Sequence, residues 1–152
     1  MISFSNILAA IVASWQDVPA VVTAMNGDPE AIYSTITSRP GEPQYRDILE
    51  KSPWPSILVS HVTTGLGFRG GFNQWRHTFR ADIKVMGDVV DYPTLIVSLV
   101  DGIPTGGGGL TLMQCSFIEG VDSMEDVVFS REQDANGKEF YRMEFALQEQ
   151  VG

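Results

Sequence analysis

Basic residues are scarce in this chain and cysteine is nearly absent. Ten Lys and Arg stand against nineteen Asp and Glu, a formal net charge of −9. That balance leaves no basic footprint for gripping nucleic acid. The single cysteine, Cys115, excludes an intramolecular disulfide and a Cys-rich zinc site. Between Gln114 and Ser116 it reads as a core or half-buried strand residue. The first 38 residues hold no Lys or Arg, so the basic segment that opens a signal peptide is missing. No apolar run approaches the ~20 residues of a membrane span. The expectation is a chain made and kept inside a cell, or packaged from there, with no membrane partner.

What is present suits one folded domain over residues 1–152. Apolar residues make up 43% and charged residues 19% of the chain, which is ordinary globular usage. A chain of this length buries about 68–70% of the surface its unfolded form exposes, so it needs no metal or disulfide to fold.

Two helices are written in the apolar spacing. Phe4, Ile7, Leu8, Ile11, Val12 and Trp15 form one stripe at helical period. Ser3 or Ser5 can cap this helix, and Pro19 is expected to end it. Tyr92, Leu95, Ile96, Leu99, Val100 and Ile103 repeat the stripe. Asp91 is placed to cap that second helix, Pro93 sits in its first turn, and Gly102 and Pro104 close it. Between the helices, Asn26-Gly27-Asp28-Pro29 reads as a turn. Residues 31–36 fit a strand or a helical turn equally well. Pro40, Pro43, Pro53 and Pro55 then mark a rigid, irregular segment.

The rest is β. Ile57–Thr64 is rich in β-branched residues. Gly65–Gly71 reads as a glycine-rich loop. Trp75, His77, Phe79, Ala81, Ile83 and Val85 alternate with polar residues, which predicts a long strand with one buried and one wet face. Four glycines, Gly106–Gly109, read as a tether before a strand over Leu110–Ile118. Val127–Glu132 and Glu139–Glu149 flank Asp134-Ala135-Asn136-Gly137, a strong hairpin signal. The fold class is therefore α+β, with a mostly antiparallel sheet, an N-terminal helix and a second crossing helix.

No motif here carries chemistry. Gly65-Leu66-Gly67-Phe68-Arg69-Gly70 matches G-x-G-x-x-G. A dinucleotide fold needs that loop to open a helix whose amides take the pyrophosphate, and here a strand follows. His61 and His77 are the two histidines. Each falls in a strand with no Ser or Cys nucleophile motif beside it, so a satisfied, half-buried histidine is the better reading. Asp122, Glu125 and Asp126 lack the glycine and spacing of a calcium loop. The expectation is no catalytic, cofactor or metal site. Negative charge is uneven: residues 117–152 hold nine acidic and three basic residues, a balance of −6. It is either a solvated outer face or a surface that repels another polyanion.

In layout the chain resembles the tail terminator (tail completion) proteins of long-tailed bacteriophages. The resemblance rests on the helix Phe4–Trp15, the proline-marked approach to Ile57–Thr64, the long strand Trp75–Val85, the crossing helix Tyr92–Ile103 and the closing strands to Gln148. It covers nearly the whole chain. It implies a virion protein of the tail or neck that forms a ring, a hexamer in this family. Such a ring caps the tail tube, stops its growth and joins tail to head. Its partners would be the tail tube protein and a head-completion or connector protein. DNA would pass without sequence-specific binding. On this reading Phe68, Arg69 and Phe72 are interface candidates, and Glu119, Asp122, Glu125 and Asp126 lumen candidates. The alternatives are another neck or head-completion protein, or a soluble oligomeric domain that binds a small ligand or peptide.

Overall fold

The computed structural model describes residues 4–35, 54–69, 72–85, 92–102 and 121–150. The expectations for Ser3, residues 40–53 of the irregular proline-marked segment, Asp91, the four-glycine tether, the strand at 110–118, Cys115 and Glu119 lie outside these residues.

The chain folds as α+β around a five-stranded, mostly antiparallel sheet. Helix α1 (Phe4–Gln16) is followed by α2 (Pro19–Ala24), a 3-10 turn (Pro29–Ala31) and strand β1 (Ile32–Ser34). Strands β2 (Ser56–Arg69) and β3 (Phe72–Lys84) form a hairpin, and α3 (Tyr92–Asp101) follows. Strands β4 (Val121–Gln133) and β5 (Glu139–Gln150) close the domain. The sheet order is β1-β2-β3-β5-β4. Among the described strands only β1 runs parallel to its neighbour, pairing Ile32–Ser34 with Ile57–Val59.

The apolar stripes do what their spacing predicts. Ile7, Leu8, Ile11, Val12 and Trp15 of α1 are buried, as are Leu95 and Leu99 of α3. They join Ile57, Val59, Phe79, Ala81, Ile83, Met143, Phe145 and Leu147 from one face of the sheet in a single core. Burying each large side chain there contributes about 1.5–3 kcal/mol. Trp15 meets Phe145 at 6.3 Å between ring centroids, and Phe79 meets Phe145 at 5.9 Å.

Four local expectations change. Pro19 does not simply end α1; it opens α2, where its missing amide costs nothing. Ser5 lies inside α1 and is not its cap. The glycine loop is shorter than its composition suggests, because Gly65–Arg69 is strand, paired with Phe72–Arg76. Backbone pairing at these glycines offsets the cost of ordering residues that lack a side chain. Finally, the expected wet face of β3 is lost at its end. Asp82 and Lys84 are buried opposite the apolar row, the first by an ion pair and the second among rings.

Candidate functional site

Three polar constellations stand out on the sheet. The first lies on the core face, where β2 is irregular. The β2–β3 register shifts between His61 and Thr63. The extra residue restores Thr64 to the core side, directly across from His77. There the Thr64 hydroxyl lies 2.7 Å from His61 Nε2 and 3.0 Å from His77 Nδ1. A hydroxyl has one proton. With both rings neutral, it donates to one imidazole nitrogen and accepts an N–H from the other.

His77 is fully buried, and both rings pack on Phe79. Burial pushes His61 below its ordinary value of 6.5, and the neighbouring His77 adds to the shift. A backbone hydrogen bond at Thr63 opposes it. This chain of groups can pass a proton between rings and hold the bulge in register. Among the described residues no group of three His, Cys, Asp or Glu could hold a metal ion.

The second constellation lies on the opposite face. Arg80 Nη2 bonds Glu144 Oε1 at 2.6 Å, and Arg142 Nε bonds the buried Asp82 at 2.8 Å. Glu132 stands 3.9 Å from Arg142. Antiparallel pairing places these residues directly opposite each other, Arg80 with Glu144 and Asp82 with Arg142. The guanidinium of Arg142 is held above its ordinary range by its bond to Asp82 and by three surrounding carboxylates, against the opposing effect of burial. Sequence reading missed this ladder. Its signal was present as Arg-x-Asp in β3 and Arg-x-Glu in β5, two charges per strand at a spacing that shares one face.

The third is Lys84. Its ammonium lies 5.9 Å from the Trp54 ring centroid and 5.6 Å from that of Phe140. Lys138 covers Trp54 at 4.0 Å. Burial holds Lys84 below its ordinary value, partly opposed by Asp134 and Asp82.

The residues singled out in sequence lie apart. Phe68 and Arg69 end β2 and pair with Asn73 and Phe72. Asp122, Glu125 and Asp126 lie within β4 rather than at a turn between strands. Their strand pairs β5 with register shifts between Val121 and Ser123 and between Glu125 and Val128. The first group thus lies on β2 and β3 and the second on β4, with β5 between them. No described helix is long and apolar enough to cross a membrane.

No family model matches the chain. A stretch of 59 residues, 39% of this chain, is 41% identical to the oxidase pynE of Aspergillus niger. The match spans 21% of that protein's length.

Proposed function

We propose that this chain is a structural virion subunit that assembles into a ring at the tail–head junction, in the manner of phage tail terminators. The observation that carries the reading is a small α+β sheet whose outermost long strand, β4, has no described strand on its outer side. Such a sheet is suited to repetition, since a ring needs two different complementary patches on each subunit. The acidic balance fits a channel that passes DNA, because a surface without basic groups offers phosphates nothing to bind. In this reading Asp122, Glu125 and Asp126 of β4, with Glu119, face the passage. The role is assembly, not turnover, and the His61–Thr64–His77 chain is structural.

The test is electron microscopy of the purified protein, alone and mixed with tubes of its cognate tail tube protein. Closed rings that sit on tube ends and stop their growth are expected. A protein that stays monomeric, or rings that ignore tube ends, would overturn the reading. The likeness to part of an oxidase favours a second reading, a redox enzyme domain. Absorption above 300 nm from a copurifying cofactor would support that alternative; on the ring reading the protein absorbs only as its tryptophans and tyrosines do.

A further inference from the structure

We propose that His61, Thr64 and His77 form an acid-sensitive latch across a bend in the sheet. The trio carries one added proton intact and opens on the second, which releases the far half of the β2–β3 hairpin. The device acts within one subunit and is independent of the ring reading.

Two bulges at one level set the bend. β2 has an extra residue between His61, opposite Phe79, and Thr63, opposite Thr78. β4 has one between Glu125, opposite Ala146, and Val128, opposite Glu144. Phe79 pairs with Phe145 and Thr78 with Ala146, so both irregularities sit at the Phe79–Phe145 rung. A bulge bends its strand and sharpens the local twist. On one side of this rung Ile57, Val59, Ala81 and Ile83 are buried in the core. On the other, Leu66 is exposed.

The trio spans the β2 bulge. His61 precedes it, Thr64 follows it, and His77 lies across from Thr64 on β3. Both imidazoles rest on Phe79, at the bend itself. The two contacts to the Thr64 hydroxyl therefore tie the strand across the place where its ladder slips, and tie it to β3. The contact candidates Phe68 and Arg69 lie beyond the bend, so the latch governs where they stand.

One hydroxyl proton limits how much acid the trio accepts. With neutral rings, one N–H donates to Oγ and Oγ donates to the other ring. A first proton goes to the far nitrogen of the donating ring, and both bonds persist. A second must enter between Oγ and the accepting nitrogen. The hydroxyl then turns its own proton away, and two imidazolium charges meet across one oxygen, where like charges disfavour each other. Burial already disfavours a charge on His61, and His77 adds to the effect.

The surrounding elements are mostly apolar on this face. β2 has no Asp, Glu, Lys or Arg from Trp54 to Phe68. β3 brings Trp75, Phe79 and Ala81, and β5 brings Phe145 and Leu147. Helices α1 and α2 hold no Asp, Glu, Lys or Arg, and α3 holds Asp101 alone. Of the carboxylates, the register places Glu149 nearest on this face, one rung beyond His77 on β5. Asp122 and Asp126 fall in the irregular parts of β4.

The test is a pH series on the full-length parent, Thr64→Val and Thr64→Ser, with far-UV circular dichroism at pH 7.5 showing that each is folded. Imidazole NMR follows the protons taken up. Amide hydrogen exchange, corrected for the intrinsic effect of pH, reads local opening. In the parent the two rings should titrate in two steps about one pH unit or more apart. Protection over 63–69 and 72–78 should fall about tenfold with the second step, while 57–59 and 81–83 keep theirs. Thr64→Ser, which keeps the hydroxyl, should follow the parent. Thr64→Val, of like shape without the hydroxyl, should show low protection over 63–69 at every pH and no step. Protection over 63–69 that ignores pH, falls with the first proton, or falls together with 57–59 would overturn the latch. So would a Thr64→Val protein that keeps the parent's step. If Thr64→Val does not fold, the parent series decides alone.

Discussion

The indole nitrogen of Trp15, in α1, donates to the carbonyl oxygen of Leu99, in α3, at 2.9 Å. The bond joins residues far apart in sequence and locks the two amphipathic helices to one another. It also satisfies a carbonyl in the last turn of α3, where the helix itself supplies no amide. From the residue before Trp15, the Ser14 hydroxyl donates to the Gly102 carbonyl at 2.6 Å. Both interactions are buried, so the Leu99 and Gly102 carbonyls are each met by a side chain of α1 instead of water.

Gly102 makes this approach possible. A Cβ there would stand 2.9 Å from Trp15 Cδ1, 3.0 Å from the Ser98 carbonyl and 3.1 Å from Val18 Cγ2. Backbone and a buried ring cannot both give way. Gly102→Ala should therefore destabilise the fold by about 1–3 kcal/mol, as overpacking does. Trp15→Phe, which keeps most of the ring and removes the donor, should cost roughly 1 kcal/mol for the hydrogen bond and more for lost packing. Urea unfolding of both variants checks this; a Gly102→Ala protein as stable as the parent would show that α3 can move away.

His61 predicts how stability responds to acid. Its folded value lies below 6.5, through burial first and His77 second. The unfolded chain then binds the proton more tightly, so protonation favours unfolding. Stability should fall as pH drops through 6.5 and level off below the folded value of His61. His61→Gln should flatten that part of the curve relative to the parent. Chemical unfolding from pH 7.5 to 4.5 reads the difference, and parallel curves would remove His61 as its source.

Helices α1 and α3 and the two hairpins were legible in the sequence because each rests on a local rule, whereas α2 was not. The stripe from Ile7 to Trp15 has helical period, and Asn136-Gly137 demands a tight turn between strands. What escaped were features set by partners distant in the chain. Composition alone made Gly65–Arg69 look like a loop, yet pairing with Phe72–Arg76 extends it as strand. Alternation marked Asp82 and Lys84 as solvent-facing, because it reports one strand and not the Arg142 and Phe140 that β5 brings alongside. The histidines were read as structural, but their shared Thr64 depends on a one-residue irregularity in β2 that no spacing rule announces. Charge gave the acidic bias of β4 and said nothing of its place at the sheet edge.

The β4–β5 turn carries its own prediction. Asp134 Oδ1 accepts from the amides of Asn136 and Lys138 at 2.9 and 2.8 Å, and Gly137 adopts φ +78. Asp134→Ala removes both bonds and should cost about 0.5–1.5 kcal/mol. Gly137→Val forces a β-branched residue into left-handed backbone and should cost roughly 1–3 kcal/mol. Thermal melts of the two variants check the order; a harmless Gly137→Val would mean that the turn can change type.

Lys84 allows the sharpest separation of charge from packing. The residue is 2% exposed, and Trp54 and Phe140 frame the ammonium. Burial disfavours the charged form; Asp134 and Asp82 only partly restore it. The folded state therefore binds this proton more weakly than the unfolded chain does. The resulting penalty is present at neutral and acid pH and is relieved as pH rises from the folded value toward the ordinary 10.5. Met fills a similar volume without charge, and replacing buried charges with apolar groups of like shape is often neutral or stabilising. Lys84→Met should thus match the parent or gain about 1 kcal/mol at pH 7. Lys84→Ala leaves a cavity and should lose about 1–3 kcal/mol. The advantage of Met over Lys should shrink as pH rises toward 10.5, the alkaline window in which the lysine sheds its proton. Guanidinium unfolding of the three proteins at pH 7 and 10 measures each difference. If Lys84→Met is as unstable as Lys84→Ala, the cation itself holds the two rings together, and its attraction to them outweighs the cost of its burial.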